Sequence, residues 1–194
     1  MDIKVTIRLR QRWQYKMKRE EIIYQPEQTG PVRVLGSIDT EKLIQSMQSF
    51  IDIAETGVTQ QGLRWAEDFE GISDLRYSDA NTKQVGEDDF KDWIIGTEYL
   101  QSIAKSFNIR DVGRVRMLMM KPKTTYSLHH DADLWRVHIP LVTNKNAFIF
   151  VHGKMWHMPV GFVYLVQVKY DHLALNAGDK NRIHIVFDYC DNLA

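Results

Sequence analysis

Trp135-Arg136-Val137-His138-Ile139-Pro140-Leu141-Val142 alternates apolar side chains with Arg, His and Pro. A period of two is that of a strand, and it puts Val137, Ile139 and Leu141 on one face and Arg136 and His138 on the other. The same pattern returns in Arg182-Ile183-His184-Ile185-Val186-Phe187, with Arg182, His184 and Val186 opposite Ile183, Ile185 and Phe187. Where two sheets pack together both faces of a strand can be apolar, so a face carrying Arg and His needs a reason. Solvent is one. A buried anion is the sharper one: Arg forks two hydrogen bonds onto a carboxylate, and an unpaired Arg inside a barrel is costly. A bound dicarboxylate would complete such a face.

Further strand-like runs surround these two, at Arg114–Met120, Thr125–His129, Ala147–Val151 and Val163–Val168. Asn144-Lys145-Asn146, Met158-Pro159-Val160-Gly161 and Asn176-Ala177-Gly178-Asp179 read as turns between some of them. Many short strands after a helical first half suggest a β-sandwich or jelly roll braced by helices. Upstream, Asp39 is placed to cap a helix with Leu43, Ile44, Met47, Phe50, Ile51 and Ala54 as its apolar stripe and Gly57 as its stop. Residues 58 to 86 read as a long loop carrying Trp65, Phe69 and Tyr77, either a binding segment or a plain surface loop. Glu87, Asp88 and Asp89 favour the start of a second helix, buried through Phe90, Trp93, Ile94, Leu100, Ile103, Ala104 and Phe107. Gly96 is placed to split that helix, and Asn108 to end it. At the N-terminus Ile3, Val5, Ile7 and Leu9 alternate with Lys4, Thr6, Arg8 and Arg10, the mark of a strand with a basic outer face.

Immediately before Trp135 lies Tyr126-Ser127-Leu128-His129-His130-Asp131. A His-x-Asp triplet, His129 and Asp131, can place an imidazole nitrogen and a carboxylate oxygen on one metal ion. Two ligands hold an ion poorly, and His172 is the best candidate for a third. Two His and one carboxylate on one face of an ion leave the opposite positions open, which suits non-haem Fe(II) that must bind a co-substrate and O₂. His130 competes with His129 for the first position, although neighbours on a strand point oppositely. His157 is a rival third ligand, and His152 and His184 read as packing or supporting histidines. The Met117-Leu118-Met119-Met120 run reads as core filler.

At 194 residues the chain is expected to form one domain, 1–194, with an N-terminal strand, helices and loop over 1–111 and a jelly-roll core over 112–190. Lys plus Arg and Asp plus Glu are both 25, so net charge gives no reason to expect nucleic acid. The single Cys190 excludes an internal disulfide and agrees with a reducing, cytoplasmic compartment. No apolar run approaches the ~20 residues that span a bilayer, and no signal peptide is apparent, so no membrane association is expected. Oligomeric state is not legible.

The ordered pattern Pro122-x-Thr124, His129-x-Asp131, Arg136-x-His138-Ile139-Pro140-Leu141, Thr143-Asn144, Met158-Pro159-x-Gly161, Asp171-His172-x-x-x-Asn176 and Arg182-x-His184-x-Val186-x-Asp188 resembles the aspartyl/asparaginyl β-hydroxylase-like 2-oxoglutarate oxygenases. The resemblance covers roughly residues 112 to 190. It implies a double-stranded β-helix (jelly roll, cupin-like) in an α+β chain, with Fe(II), 2-oxoglutarate and O₂ as cofactor and co-substrates and ascorbate as auxiliary reductant. His129 and His172 would be iron ligands, Arg182 would pair with the distal carboxylate of 2-oxoglutarate, and Arg136 and His138 would line its pocket near the metal end. Asn176 would hold the loop after His172. Asp131 departs from the vertebrate aspartyl/asparaginyl β-hydroxylase, which has a small residue there and binds iron through two His. That departure restores the carboxylate of most other 2-oxoglutarate oxygenases and weakens any transfer of that enzyme's substrate. The implied activity is hydroxylation of an unactivated C–H bond of a peptide, protein or small molecule, with a peptidyl Asp, Asn or Pro side chain in view. The alternatives are a non-catalytic jelly-roll module and a metal cupin that does not use 2-oxoglutarate.

Overall fold

The computed structural model describes residues 23–24, 26, 29–64, 93–109, 114–131 and 135–188. The expected strand over residues 3 to 9, the aromatics Trp65, Phe69 and Tyr77, the start of the second helix at Phe90, and Cys190 lie outside the described residues. In chain order the elements are β1 (Ile23–Tyr24), β2 (Val32–Ser37), α1 (Thr40–Ser46), α2 (Gln48–Glu55), β3 (Gln60–Arg64), α3 (Glu98–Ser106), β4 (Val115–Met120), β5 (Thr124–Thr125), β6 (Trp135–Val142), β7 (Ala147–Val151), β8 (Lys154–Trp156), β9 (Phe162–Gln167), β10 (His172–Asn176) and β11 (Arg182–Phe187).

The strands form two sheets, β1-β8-β7-β10-β5 and β2-β9-β6-β11-β4-β3. The chain alternates between them, which is the winding of a double-stranded β-helix. All pairings are antiparallel except β1 with β8. The alternation read from the sequence sets the layers. Val137, Ile139, Leu141, Ile183, Ile185, Phe187, Val115, Met117, Met119, Val163 and Leu165 turn outward from the six-stranded sheet and form one core with α1, α2 and α3. Ile149, Val151, Trp156, Tyr164 and Val166 meet between the sheets in a second, smaller core. The rest of that interior is polar, lined by Arg116, Arg136, His138, Asn176, Arg182, His184 and Asp188, all buried. Tyr164 is satisfied there by donating from its hydroxyl to the Pro159 carbonyl at 2.9 Å.

Several elements differ from the sequence expectation. The Asp39 cap forms, its carboxylate accepting from the Lys42 amide at 3.0 Å. The stripe through Leu43, Met47 and Ile51 is buried as expected, but the helix breaks at Met47, which caps α1 and starts α2. Of the expected second helix the described residues contain α3, which begins after Gly96: that glycine takes φ +92, and Trp93 and Ile94 pack against the helical core from a non-helical segment. Asn108, with φ +56, ends it as read. The expected loop from residue 58 begins with a strand, β3, because Gln61 and Leu63 are buried while Gln60, Gly62 and Arg64 are not. Gln61 donates to the Phe50 carbonyl at 2.7 Å, a polar inward residue that masks the alternation. Of the run Thr125–His129 only Thr125 is in a strand, the two-residue β5 that it forms with Thr124, and His129 returns as a single bridge to His172. No helix among the described residues is long and apolar enough to cross a membrane.

Candidate metal and co-substrate site

His129 and His172 are opposite each other on neighbouring chain segments. The His129 amide donates to the His172 carbonyl at 3.1 Å and the His172 amide donates back to the His129 carbonyl at 2.7 Å. Directly opposed residues of an antiparallel pair project to the same face, so the two rings meet with centroids 4.4 Å apart. This rung also settles the neighbour: His130 points the other way, is exposed, and faces the exposed Asp171 at 3.4 Å. Asp131 is held by its amide donating to the Val168 carbonyl at 3.1 Å, and its carboxylate turns back to the same face. One ligand atom each from His129, Asp131 and His172 lies within 4.8 Å of the others.

The protonation pattern fits a cation. His129 Nδ1 lies 2.7 Å from the Ser127 carbonyl and His172 Nδ1 lies 2.9 Å from the Tyr170 carbonyl. A carbonyl only accepts, so each Nδ1 carries a proton and Nε2 is the ring atom turned toward the cluster. This backbone anchoring is the arrangement that orients metal-ligating histidines. His172 Nε2 faces Asp131 Oδ2 at 3.3 Å, a spacing that adjacent ligands on bonds of about 2.1 Å would also have. Arg136 Nη1 approaches Asp131 Oδ2 at 2.6 Å as an ion pair. Burial pushes the Asp131 carboxyl up, but His172, the Arg136 guanidinium and His129 outweigh it and hold the group below its ordinary value, as a carboxylate.

Arg136 is itself fixed from behind. Its Nε lies 2.9 Å from Asp188 Oδ1, and Asp188 also accepts from Arg116 Nη2 at 3.1 and 3.2 Å and from Arg114 Nε at 2.9 Å. Three guanidiniums thus meet one buried carboxylate. Burial alone would raise its pKa, and Arg116, Arg136 and Arg114 together drive it well below the usual carboxylate range. Sequence reading gave Asp188 and Arg116 no role. The available signal was period two, which puts Asp188 on the inner face with Arg182 and His184; the contact with Arg136 exists only through the pairing of β11 with β6.

Along the inner face the polar residues follow in order from the metal end: Arg136 and His138 on β6, then His184 and Arg182 on β11, with His138 beside Val186 and His184 beside Pro140. Arg182 is buried and has no carboxylate partner among the described residues; it donates to His184 Nδ1 at 3.1 Å and approaches Met120 Sδ at 3.5 Å. Burial lowers its pKa to about 10, opposed by Tyr126. His138 and His184 are held neutral by burial and by Arg182, and each has a buried ring nitrogen without a hydrogen-bond partner among the described residues.

Other sequence candidates fall elsewhere. His157 bonds the Ala147 carbonyl at 3.0 Å and stands edge-on to Phe148, outside the ligand cluster. His152 stacks on Tyr170, centroids 4.0 Å apart, at the tip between β7 and β8. Asn176 does not hold the loop after His172. It ends β10, and its Nδ2 donates to the Met120, Lys121 and Lys180 carbonyls while Oδ1 accepts from Asn144 and Gly178. Asn176 therefore clamps the far mouth of the barrel, a full strand from His172.

The two sheets form a cupin-like double-stranded β-helix with two imidazoles and a carboxylate clustered beside β10 and an arginine buried between the sheets. The sequence matches the family described as Aspartyl/Asparaginyl beta-hydroxylase over residues 91–191, just over half of the chain, and the chain belongs to that family. Among solved structures it is similar to a 2OG-Fe(II) oxygenase family protein from Burkholderia pseudomallei, at 11% identity and TM-score 0.53, over 87% of this chain and 94% of that one. It is also similar to the viral collagen prolyl hydroxylase of Paramecium Bursaria Chlorella virus-1, determined as a 2OG complex, at 10% identity and TM-score 0.50, over 82% and 95% of the two chains. A protein from Photorhabdus luminescens overlaps 41% of this chain at 14% identity and TM-score 0.35, with 64% of its own length covered. No curated protein matches the sequence significantly. At these identities the structural likeness establishes the fold.

Proposed function

We propose that this chain is an Fe(II)- and 2-oxoglutarate-dependent oxygenase that hydroxylates an unactivated C–H bond. The observation that carries the reading is the pairing of two features in one barrel. A His129–Asp131–His172 cluster offers two imidazole nitrogens and a carboxylate oxygen within 4.8 Å of one another, and Arg182 lies buried without a carboxylate partner among the described residues. The first suits a divalent cation and the second a diacid. Bound Fe(II) would supply the oxidation: one O₂ is divided between the succinate formed as 2-oxoglutarate loses CO₂ and the hydroxyl placed on the substrate.

The chain's own residues supply orientation and charge. The backbone anchors on both Nδ1 atoms hold the imidazoles in the ligating tautomer. Arg136, fixed by Asp188, steadies Asp131 and, with His138, lines the metal end of the co-substrate pocket. Arg182 receives the distal carboxylate. The same reading takes 1–194 as one oxygenase domain acting in a reducing cytoplasmic compartment on a peptide or protein, or on a small molecule. Within that range a peptidyl Asp, Asn or Pro side chain is the substrate proposed. The test is succinate release by purified protein with Fe(II), ascorbate and 2-oxoglutarate, alongside Mn(II) uptake. Turnover with metal uptake is expected; the absence of both refutes the reading and favours a non-catalytic jelly-roll module. Metal uptake with turnover indifferent to 2-oxoglutarate would mark a cupin enzyme of another kind.

A further inference from the structure

We propose that the open sheet edge beside His129 receives an extended peptide as an added antiparallel strand, and that the peptide residue opposite His129 is the one modified. This rests on the oxygenase reading and names the form of substrate its site takes: an unfolded peptide segment with an apolar residue directly after the modified one.

Among the described strands the five-stranded sheet ends at β5, and the chain runs on from β5 alongside β10 as far as Asp131. The Tyr126, His129 and Asp131 amides donate to the Ala174, His172 and Val168 carbonyls at 2.9, 3.1 and 3.1 Å, and the His129 carbonyl accepts from the His172 amide at 2.7 Å. Alternate residues of an extended segment send their backbone groups to opposite edges. Leu128 and His130 flank His129, and their amides and carbonyls take no hydrogen bond among the described residues. Both residues are exposed, Leu128 by 54%. Folded proteins usually cover or charge such an edge, because it is a template for another chain; here it carries an apolar side chain. Amides and carbonyls in this alternation match one partner chemistry, a main chain of the same spacing.

An antiparallel chain bonded to Leu128 and His130 has one residue directly opposite His129. That pair has no mutual hydrogen bonds, so its Cα atoms stand about 4.5 Å apart and its side chains are at their closest. Opposed residues project to one face, and His129 shares its face with His172 and the ligand cluster. The side chain opposite His129 therefore stands beside the cluster, and its two neighbours project to the other face. The neighbour that precedes it meets the exposed His130 and Asp171. The neighbour that follows it meets Leu128, where an apolar cross-strand pair is favoured. A free amino acid has no flanking main chain and gains none of these bonds.

The probe is a pool of short capped peptides with Asp, Asn or Pro fixed at the centre, offered to protein loaded with 2-oxoglutarate and Zn(II), which is redox-inert. The best-bound member is expected to slow hydrogen exchange at the Leu128 and His130 amides by about tenfold or more, as new hydrogen bonds do. Methylating the peptide nitrogen on either side of the central residue is expected to weaken binding by about tenfold, and methylating the central nitrogen by less than about twofold. Leu128→Glu is expected to move the preference after the central residue from apolar side chains to Lys or Arg, a readout that a misfolded variant cannot imitate. Weakening at the central nitrogen instead, or equally at all three, would overturn the proposal. So would protection of both amides without peptide, which marks a second copy of this chain where it grows with protein concentration. Metal uptake and 2-oxoglutarate turnover with no peptide bound would overturn the proposal and leave the oxygenase reading intact. Absence of uptake, turnover and peptide binding together would overturn both.

Discussion

Replacing Asp188 by Asn removes the charge that three arginines share. Arg116 and Arg136 are buried with it, and Arg114 is only 18% exposed at its side chain. Removing one partner of a buried ion pair costs about 3–5 kcal/mol, because the opposite charge stays buried without compensation. For a chain of this size each kcal/mol lowers Tm by about 2–4 °C, so Asp188→Asn should melt roughly 6–20 °C below wild type. Urea denaturation at constant m-value is the second measurement. The pH dependence has a defined sign. Asp188 is depressed in the folded protein, so below its unfolded pKa of about 3.9 the unfolded chain binds more protons, and stability falls as pH falls toward the folded value. Above that window the contribution is fully present. Wild type should therefore show a steeper acid-side decline than the variant. A double variant, Asp188→Asn with Arg116→Met, should regain part of the loss by removing one of the stranded cations. A loss below about 1 kcal/mol, the range of exposed pairs, would refute the claim that the network is desolvated.

Asp131→Ala should abolish coupled 2-oxoglutarate turnover and weaken Mn(II) binding by at least tenfold while leaving the circular dichroism spectrum unchanged; undiminished turnover would mean a site of two histidines. Arg182→Met should weaken 2-oxoglutarate binding by about a hundredfold yet raise the Tm of the ligand-free protein by a few degrees, since it removes a buried cation that has no carboxylate partner among the described residues. A lower Tm would show that Arg182 is paired in the free protein. Gly178→Ala should destabilise by about 1–3 kcal/mol, as for overpacking, because an added Cβ would come within 2.1 Å of Asn144 Oδ1 and dislodge its bond to Asn176. Chemical denaturation reads it directly, and a neutral result would mean that the clamp yields without cost.

The sequence was most legible where alternation was strict. Trp135–Val142, Ala147–Val151 and Arg182–Phe187 have the bounds read from their residues, because each is central in its sheet and buried face by face. It was least legible where tertiary pairing overrode composition. His172-Leu173-Ala174-Leu175-Asn176 carries no β-branched residue, and it is a strand because β7 and β5 flank it on both edges. β2 is an edge strand with a register shift between Val34 and Gly36; Gly36 sits against Phe107, where a Cβ would come within 2.6 Å. In the site, the residues at the metal end were readable from type and spacing. The choice of His129 over His130 needed the rung to His172. The Asp188–Arg136–Asp131 chain needed the contact between Asp188 and Arg136, 52 positions apart, which no local period encodes.

The reciprocal amide bonds between His129 and His172 divide the cluster into an invariant part and a replaceable one. Main-chain pairing sets the span between the two imidazoles, and their ring orientation is tied to main-chain carbonyls, so neither depends on the identity of the third donor. Asp131, by contrast, stands outside that pair, tied by its own amide to the Val168 carbonyl. Trimming it to Gly or Ala would therefore empty the third corner of the cluster and leave the spacing of the two imidazoles as it is.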